Sequence, residues 1–479
     1  MRHKPYLIFS TRQELSKTLL SCLALFFLLV SYYLVKPLRN SLYLAAFTPE
    51  YLPYAFLFTA AASFVVTRLY TQFYGRLPKR TLIMATYSLT AALMLFFHFA
   101  LQKGSHAITA GFYIFASVYF LLAIALIWGL INDVFTSREG ERCYGYVAMG
   151  STIGGIMGSV ISDHLASSEF SDYPLLVAAV LTLLALGLVM SAHSSYGRVE
   201  EVGLQVKKAS SADILADLRL LFQKPYIRAI GLMVFALAFF NTNMEFRIQA
   251  TVDESLAKSR YEVAFDGVHE SVDMAWVRGL RALKPDLREK SIQEKIGKTG
   301  IEDLKERYET YHMEKEKETR SFFSEVFKWQ GVLSIFVLSI LIRPLFKKVG
   351  VAMAVLILPS ICLVATGMMA TGPELGVIWG LMVVVGSLNY SLNNASKELL
   401  FTATDDEDRF RLKPLIEGPI MRFGDVSASV SKLSLAQVFA SAALVQGVLF
   451  SAVVAVIFCW MVLAWQAGKR YESMRVVHP

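Results

Sequence analysis

Thr18-Leu19-Leu20-Ser21-Cys22-Leu23-Ala24-Leu25-Phe26-Phe27-Leu28-Leu29-Val30-Ser31-Tyr32-Tyr33-Leu34-Val35 runs between Lys17 and Lys36 without a single charge. A bilayer core is crossed by a helix of about 20 mostly apolar residues, so 17–36 reads as a membrane span. It is too long for a cleavable signal peptide, and Lys36-Pro37-Leu38-Arg39 stands where a small-residue cleavage site would be. Working outward, eleven further stretches read the same way. They cover roughly 52–70, 81–101, 107–131, 143–163, 173–193, 228–246, 329–346, 349–371, 375–397, 418–440 and 442–466. The fifth and eleventh spans, 143–163 and 418–440, are the weakest, being rich in Gly, Ser and polar residues.

The composition agrees. Of 479 residues, 55% are hydrophobic and 18% charged, with mean hydropathy +0.47. Soluble domains carry about 25% charged residues, so a cytosolic enzyme is excluded, as is a disordered or fibrous chain. The net charge of +8 suggests membrane topology rather than nucleic acid. Basic residues gather at the N-terminus (Arg2, Lys4, Arg12, Lys17) and after the second span (Arg68, Arg76, Lys79, Arg80). They gather again after the sixth (Arg198, Lys207, Lys208, Arg219, Lys224), the eighth (Arg343, Lys347, Lys348) and the tenth (Arg409, Arg411, Lys413), and at the C-terminus (Lys469, Arg470, Arg475). The alternate short loops hold only Lys103. Both termini are therefore expected in the cytoplasm. Four cysteines, without metal spacing, read as small buried hydrophobes.

The predicted fold class is an all-α polytopic membrane protein, with twelve transmembrane helices in two six-helix halves and a helical extramembrane insertion. The expected domains are an N-terminal half (1–193), a cytoplasmic linker (194–227), a seventh span (228–250), the insertion (251–325) and the remaining spans (326–479). Transporters built from two such halves hold their solute near the bilayer midplane. The insertion holds 14 Lys/Arg and 17 Asp/Glu, 31 of the 86 charges in the chain. Its position after the seventh span puts it on the non-cytoplasmic side. Ile301, Leu304, Tyr308 and Tyr311 form a helical apolar stripe, and Gly297 and Gly300 suggest a helix break. The block reads either as a small helical cap or as an extension of the eighth span, and it is a candidate surface for a periplasmic protein partner.

Ionisable groups within membrane spans are expensive and are functional candidates by default. Lys36 and Arg39 follow the first apolar run. The arginine offers a fork of donors suited to phosphate or carboxylate, while the lysine can also snorkel. Asn241-Thr242-Asn243-Met244-Glu245-Phe246-Arg247 places Asn243, Glu245 and Arg247 at the end of the seventh span. In the tenth span Asn389, Asn393 and Lys397 fall at helical spacing on one polar face, which must face protein or water. Asn132-Asp133 follows the fourth span, and Arg422, Gly424 and Asp425 lie in the eleventh. Gly150, Gly154 and Gly158 read as a close-packing stripe. No Walker sequence, nucleophile elbow or HExxH is present, so no enzyme and no cofactor are expected.

Several of these stretches resemble the ATP:ADP antiporter (nucleotide transporter) family of plastids and intracellular bacteria, with its looser bacterial relatives. They are Tyr33-Leu34-Val35-Lys36-Pro37-Leu38-Arg39-Asn40-Ser41-Leu42, Trp128-Gly129-Leu130-Ile131-Asn132-Asp133-Val134, Tyr390-Ser391-Leu392 with Ser396-Lys397-Glu398, and Lys413-Pro414-Leu415-Ile416-Glu417 with Arg422-Phe423-Gly424. The resemblance implies a major-facilitator-like fold and membrane charges that handle nucleotide phosphates. By position, the family's first-helix lysine matches Arg39, its seventh-helix glutamate Glu245 and its tenth-helix lysine Lys397. Ala116 stands in place of its fourth-helix glutamate and Asn389 in place of a lysine. The family lacks the long insertion.

The resulting expectation is a secondary transporter of an anionic, phosphorylated solute such as ATP or ADP, in a bacterial inner membrane. Arg39, Lys36, Asn389, Asn393, Lys397 and Asn243 would bind the substrate. Glu245, Arg247, Asp133 and Arg422 would serve as gate or coupling groups. The partners would be the solute and the lipid bilayer, with no nucleic acid. The alternatives are a carrier of a different solute, lipid-linked or proton-coupled, and a non-transporting scaffold that uses 251–325 to bind a partner.

Overall fold

A computed structural model describes residues 11–477 except 75, 198–210, 266–271, 282, 284, 297–300 and 406–411. Seven of the basic loop residues read above (Arg2, Lys4, Arg198, Lys207, Lys208, Arg409 and Arg411) lie outside the described residues, as does the break at Gly297 and Gly300. The described residues form helices and contain no strand. Ten helical stretches are long and apolar enough to cross a membrane. The two weakest expected spans are also helical.

Contacts divide the chain into two compact units. The first comprises residues 1–48, 61–201 and 256–331; the second comprises 49–60, 202–255 and 332–479.

The first unit is built around α1 (Arg12–Ala46), whose start is capped by Thr11 Oγ1 accepting from Glu14 N. Around it stand the last two-thirds of α2 (Leu52–Tyr74), then α3 (Lys79–Leu101), α4 (His106–Val134), α5 (Ser137–Ser167) and α6 (Pro174–Tyr196). At α5 the glycine stripe becomes a contact surface. A Cβ on Gly150 would sit 2.2 Å from Cys22 O, one on Gly154 2.3 Å from Phe26 O, and one on Gly158 2.7 Å from Val30 O. Each glycine meets the residue 128 positions earlier, so α1 and α5 run parallel, backbone against backbone. The start of α5 is a capping box. Thr136 Oγ1 accepts from Glu139 N, and Thr136 N donates to the Glu139 carboxylate. The same carboxylate accepts from Lys17 Nζ at 2.8 Å, tying α5 to the first turns of α1. Glu14, 1% exposed, accepts from Arg142 at 2.9 Å on the same side. Midway along α1, Ser31 donates to Ala178 O on α6.

The charged block is ordered into helices continuous with its flanking spans. Helices α7 (Ser211–Gln223) and α8 (Pro225–Ala264) precede it. It contains α9 (Met274–Leu280), α10 (Pro285–Ile296) and the start of α11 (Ile301–Phe336). Both readings of the block therefore hold: it has its own small core and it extends the eighth span. Leu304, Tyr308 and Tyr311 of the apolar stripe are buried in that core with Phe265, Val277 and Ile292. They close on the block itself rather than offering a docking face.

The block binds the far end of α1. Arg281 Nη1 donates to Leu44 O at 3.1 Å, Lys315 Nζ approaches the same oxygen at 3.5 Å, and His312 Nε2 donates to Ala45 O at 2.9 Å. These carbonyls are among the four left unpaired at a helix C-terminus, where cations also complement the helix dipole. His106 at the start of α4 donates to Arg281 O, Arg320 to Ser171 O, and Ser321 to Asp163.

The second unit holds the rest of α8, a π turn (Val337–Leu341), α12 (Ile342–Lys348) and α13 (Val351–Ala370). These are followed by α14 (Leu375–Leu388), a π turn (Asn389–Asn393) and α15 (Asn394–Thr402). A third π turn (Ile416–Ile420) leads into α16 (Met421–Val438), and α17 (Ala442–Val477) closes the chain. Gly350, at φ +83°, lets the chain turn sharply into α13. Ala352 N in the first turn of α13 then donates to Glu472 on α17. Gly424 brings α16 against α8, since a Cβ there would sit 2.8 Å from Phe235 O.

Candidate functional site

The expected site residues fall into separate groups, each inside one unit. In the first unit Arg39 lies in the last third of α1, partly buried. Its guanidinium carbon is 4.7 Å from the centre of the Tyr113 ring. Nη1 donates to Ser117 Oγ at 2.9 Å, while Nε and Nη2 both donate to Asn40 Oδ1. Three of its five N–H groups are thus used, all on neutral partners. No acidic side chain pairs with Arg39 among the described residues. The Nδ2 of Asn40 is fully buried and makes no hydrogen bond among them. Arg39 thus keeps two unused donors beside an unsatisfied amide. Lys36, one helical turn earlier, sits in an aromatic box, with its Nζ 3.8 Å from the centre of Phe327 and within 6 Å of Tyr32 and Tyr33. Burial among rings stabilises an ammonium through their negative faces.

Asp133 closes the other end of α4. It accepts from Lys79 Nζ at 2.5 Å and lies 3.6 Å from His193 Nε2, joining α3, α4 and α6. Lys79 also donates to Gly129 O.

In the second unit Lys397 is not a free cation. Its Nζ is 2.6 Å from Glu417, a residue of the third π turn. The polar face read from spacing is present but altered by the second π turn. Asn393 Nδ2 donates to Asn389 Oδ1 at 3.2 Å. Asn393, Ser396 and Lys397 share a small hollow with Trp460, whose volume of about 20 Å³ holds about one water. Arg422 donates to Asp425 at 3.1 Å, and Asp425 accepts from Thr242 on α8. Glu245 accepts from Gln249, one turn along α8, at 2.5 Å.

Asn243 and Arg247 instead line a larger cavity of about 370 Å³. It is enclosed by the start of α2, α8, the end of α16 and the start of α17. Lys432, which the sequence reading passed over, reaches into it. The signal was available: Lys432 is a lone lysine in the run Ser427–Val438. Glu417 likewise lies outside the candidates chosen from sequence, since its pairing with Lys397 joins residues twenty positions apart. No group of His, Cys, Asp and Glu side chains suited to a metal ion occurs among the described residues.

Residues 302–471 match the family described as TLC ATP/ADP transporter. The matched region contains Lys397, Glu417, Arg422 and Lys432. Among solved structures, the chain is similar to the crystal structure of the nucleoside transporter NupG. That likeness has 13% identity, covers 95% of this chain and 99% of the other, and has TM-score 0.52. It is also similar to a bacterial homologue of the human lysosomal transporter Spinster in an inward-facing, unoccupied conformation. Here identity is 10%, coverage 97% and 98%, and TM-score 0.51. No curated protein matches the chain. At such identities the structural likeness shows the fold. The described residues are all-helical, ten helical stretches are long and apolar enough to cross a membrane, and the fold is like that of these transporters, in line with the major-facilitator-like fold expected from the sequence. The resemblance to nucleotide transporters read from sequence is borne out over 302–471.

Proposed function

We propose that this protein is a secondary transporter of an anionic solute and that Arg39 binds the anion. The observation that carries this reading is the Arg39 cradle, a guanidinium inside a membrane helix with neutral partners, beside the buried, unsatisfied Asn40 amide. An unpaired charge in an apolar setting is costly, and a solute that brings the opposite charge removes that cost. Arginine favours phosphate and carboxylate because its fork donates two parallel bonds. A phosphorylated solute, a nucleotide among them, is the finer form of the proposal, supported by the family match over 302–471.

The Lys397–Glu417 pair supplies a switch. An anion that attracts Lys397 loosens its hold on Glu417 and on the π turn that carries it. Such turns recur at functional sites. Exchange by alternating access in an inner membrane, with both termini cytoplasmic, completes the proposal. The basic loops that survive in the described residues support that orientation.

The test is uptake of labelled nucleotides, nucleoside phosphates and unphosphorylated nucleosides into vesicles holding the purified full chain. Saturable uptake of a phosphorylated solute, reduced at least about tenfold by Arg39→Ala and partly restored by Arg39→Lys, is expected. Equal uptake by Arg39→Ala, or preference for an uncharged nucleoside, overturns it.

A further inference from the structure

The cavity of about 370 Å³ in the second unit lies within the range of small-molecule sites, about 300–1,000 Å³. Its walls are of two kinds. Fourteen of its nineteen lining residues are apolar, among them Phe439, Leu449 and Val453. The other five are Glu50, Asn243, Arg247, Lys432 and Gln446.

Two cations therefore face a mostly apolar chamber. Lys432 Nζ is 4.7 Å from the centre of Phe246 and makes no hydrogen bond or close ion pair among the described residues. Arg247 is held from one side. With the Gln446 amide turned to present its oxygen, Arg247 Nε and Nη1 donate to it at 2.8 and 2.9 Å. Glu50 is exposed and makes no close ion pair with either cation among the described residues, whereas both cations are partly buried. The Phe246 ring offsets part of the cost of burying this ammonium, and with no carboxylate in contact an anion in the chamber would offset more of it. Next to the chamber, at the corner joining α16 to α17, Val438 is 73% exposed and Leu444 57%. The surface beside the chamber is therefore apolar.

We propose that this cavity binds an anionic amphiphile, a carboxylate or phosphate carried on an acyl chain. The headgroup sits between Lys432 and Arg247, and the chain lies along Phe439, Leu449 and Val453. The apolar walls favour an occupant with a chain over a small inorganic anion, and the two cations favour an anionic headgroup over a neutral lipid. The site is distinct from the Arg39 cradle and does not depend on the transport reading. Its ligand comes either from the bilayer, as a phospholipid, or as a free fatty acid.

The experiment measures binding to the full chain in neutral detergent by native mass spectrometry and by the shift in unfolding temperature. The probes are palmitate, dioleoylphosphatidylglycerol, methyl palmitate, phosphatidylcholine and inorganic phosphate. Palmitate or phosphatidylglycerol is expected to bind and raise the unfolding temperature, while the other three do not. Binding of palmitate alone identifies the free acid as the source; binding of phosphatidylglycerol alone identifies the bilayer. Lys432→Gln is expected to weaken the bound probe at least tenfold, and Lys432→Arg to retain most of the affinity. If Lys432→Gln does not give folded protein, Arg247→Gln replaces it, with the same expected loss. Equal binding by whichever glutamine variant folds, equal binding of methyl palmitate, or binding of neither anionic probe overturns the proposal.

Discussion

Lys17, Arg39 and Lys432 are three cations of membrane helices kept by three different means. Lys17 has a full partner, since its ammonium and the Glu139 carboxylate meet at 2.8 Å with side chains only 10% and 22% exposed. Burial alone would raise the Glu139 carboxyl. The Lys17 ammonium and the Thr136 N–H outweigh it and hold the group below the usual glutamate range. A carboxyl lowered in the folded state binds fewer protons there than in the unfolded chain, so its contribution is complete above the unfolded value of about 4.3 and falls away as pH drops below it. Thermal unfolding scans of the purified protein are therefore expected to show a loss of midpoint below about pH 4.5. Glu139→Gln should show less of that loss and a lower plateau at pH 7, by about 1–3 kcal/mol. Arg39 and Lys432 have no such partner, which makes them candidates for ligand contact. Arg39 is legible in the sequence as a charge just beyond the first apolar run. Lys432 is equally legible as a lone lysine in the eleventh span, one of the two weakest because it is rich in Gly, Ser and polar residues. Glu417 was not legible as the partner of Lys397, because the contact depends on how two separate π turns aim their side chains.

At the scale of the helix, periodicity reveals spans well and their irregularities poorly. Of the three π turns among the described residues, two fall inside stretches that read as uninterrupted helix and the third, Ile416–Ile420, straddles the start of the eleventh span. A π turn adds a residue without any glycine or proline being required, so hydrophobic spacing alone does not mark it. The boundary at 251 shows the opposite error. Composition changes there, yet α8 continues to Ala264, because Glu, Lys, Ala and Arg are good helix formers whether or not lipid surrounds them. The glycine stripe was read correctly as packing, and the structure makes it quantitative. Gly154→Leu would force a side chain into the Phe26 carbonyl and is expected to destabilise the protein by about 1–3 kcal/mol or more. Gly187 on α6 has nothing within 4 Å of its would-be Cβ, and Gly187→Ala should be neutral or slightly stabilising. Comparing detergent unfolding midpoints of the two variants checks both; equal midpoints would contradict the packing account.

For the whole molecule, the insertion is the feature whose presence sequence revealed and whose purpose it hid. Charge counting marked it off from the apolar remainder, but no local pattern states that three basic side chains reach the last carbonyls of α1. Arg281 is the most connected of them, joining Leu44 through its guanidinium and His106 through its carbonyl. Arg281→Ala leaves the Leu44 carbonyl with less compensation and is expected to lower stability by about 1–3 kcal/mol, measured as the unfolding midpoint. Arg307→Ala removes a pair whose carboxylate, Asp303, is 68% exposed and one bond to Ala264 O, and should change stability by only about 0.5–1.5 kcal/mol. The proposed orientation makes a separate prediction. A cysteine placed at Lys224 should react only from the cytoplasmic side of sealed vesicles, and one at Gly372 only from the other side.

The parallel seam between α1 and α5 also has a consequence for how the chain is made. Helix α1 leaves the ribosome first, but the glycines it rests against lie 128 residues downstream. At about 5–20 residues per second, translation delivers them roughly 6–26 s later. Throughout that interval the Cys22, Phe26 and Val30 turns of α1 have lipid or an insertion chaperone for company instead of their backbone neighbour. For that interval α1 is thus left to the insertion machinery. A slowing of translation between residues 46 and 150 should lengthen that dependence.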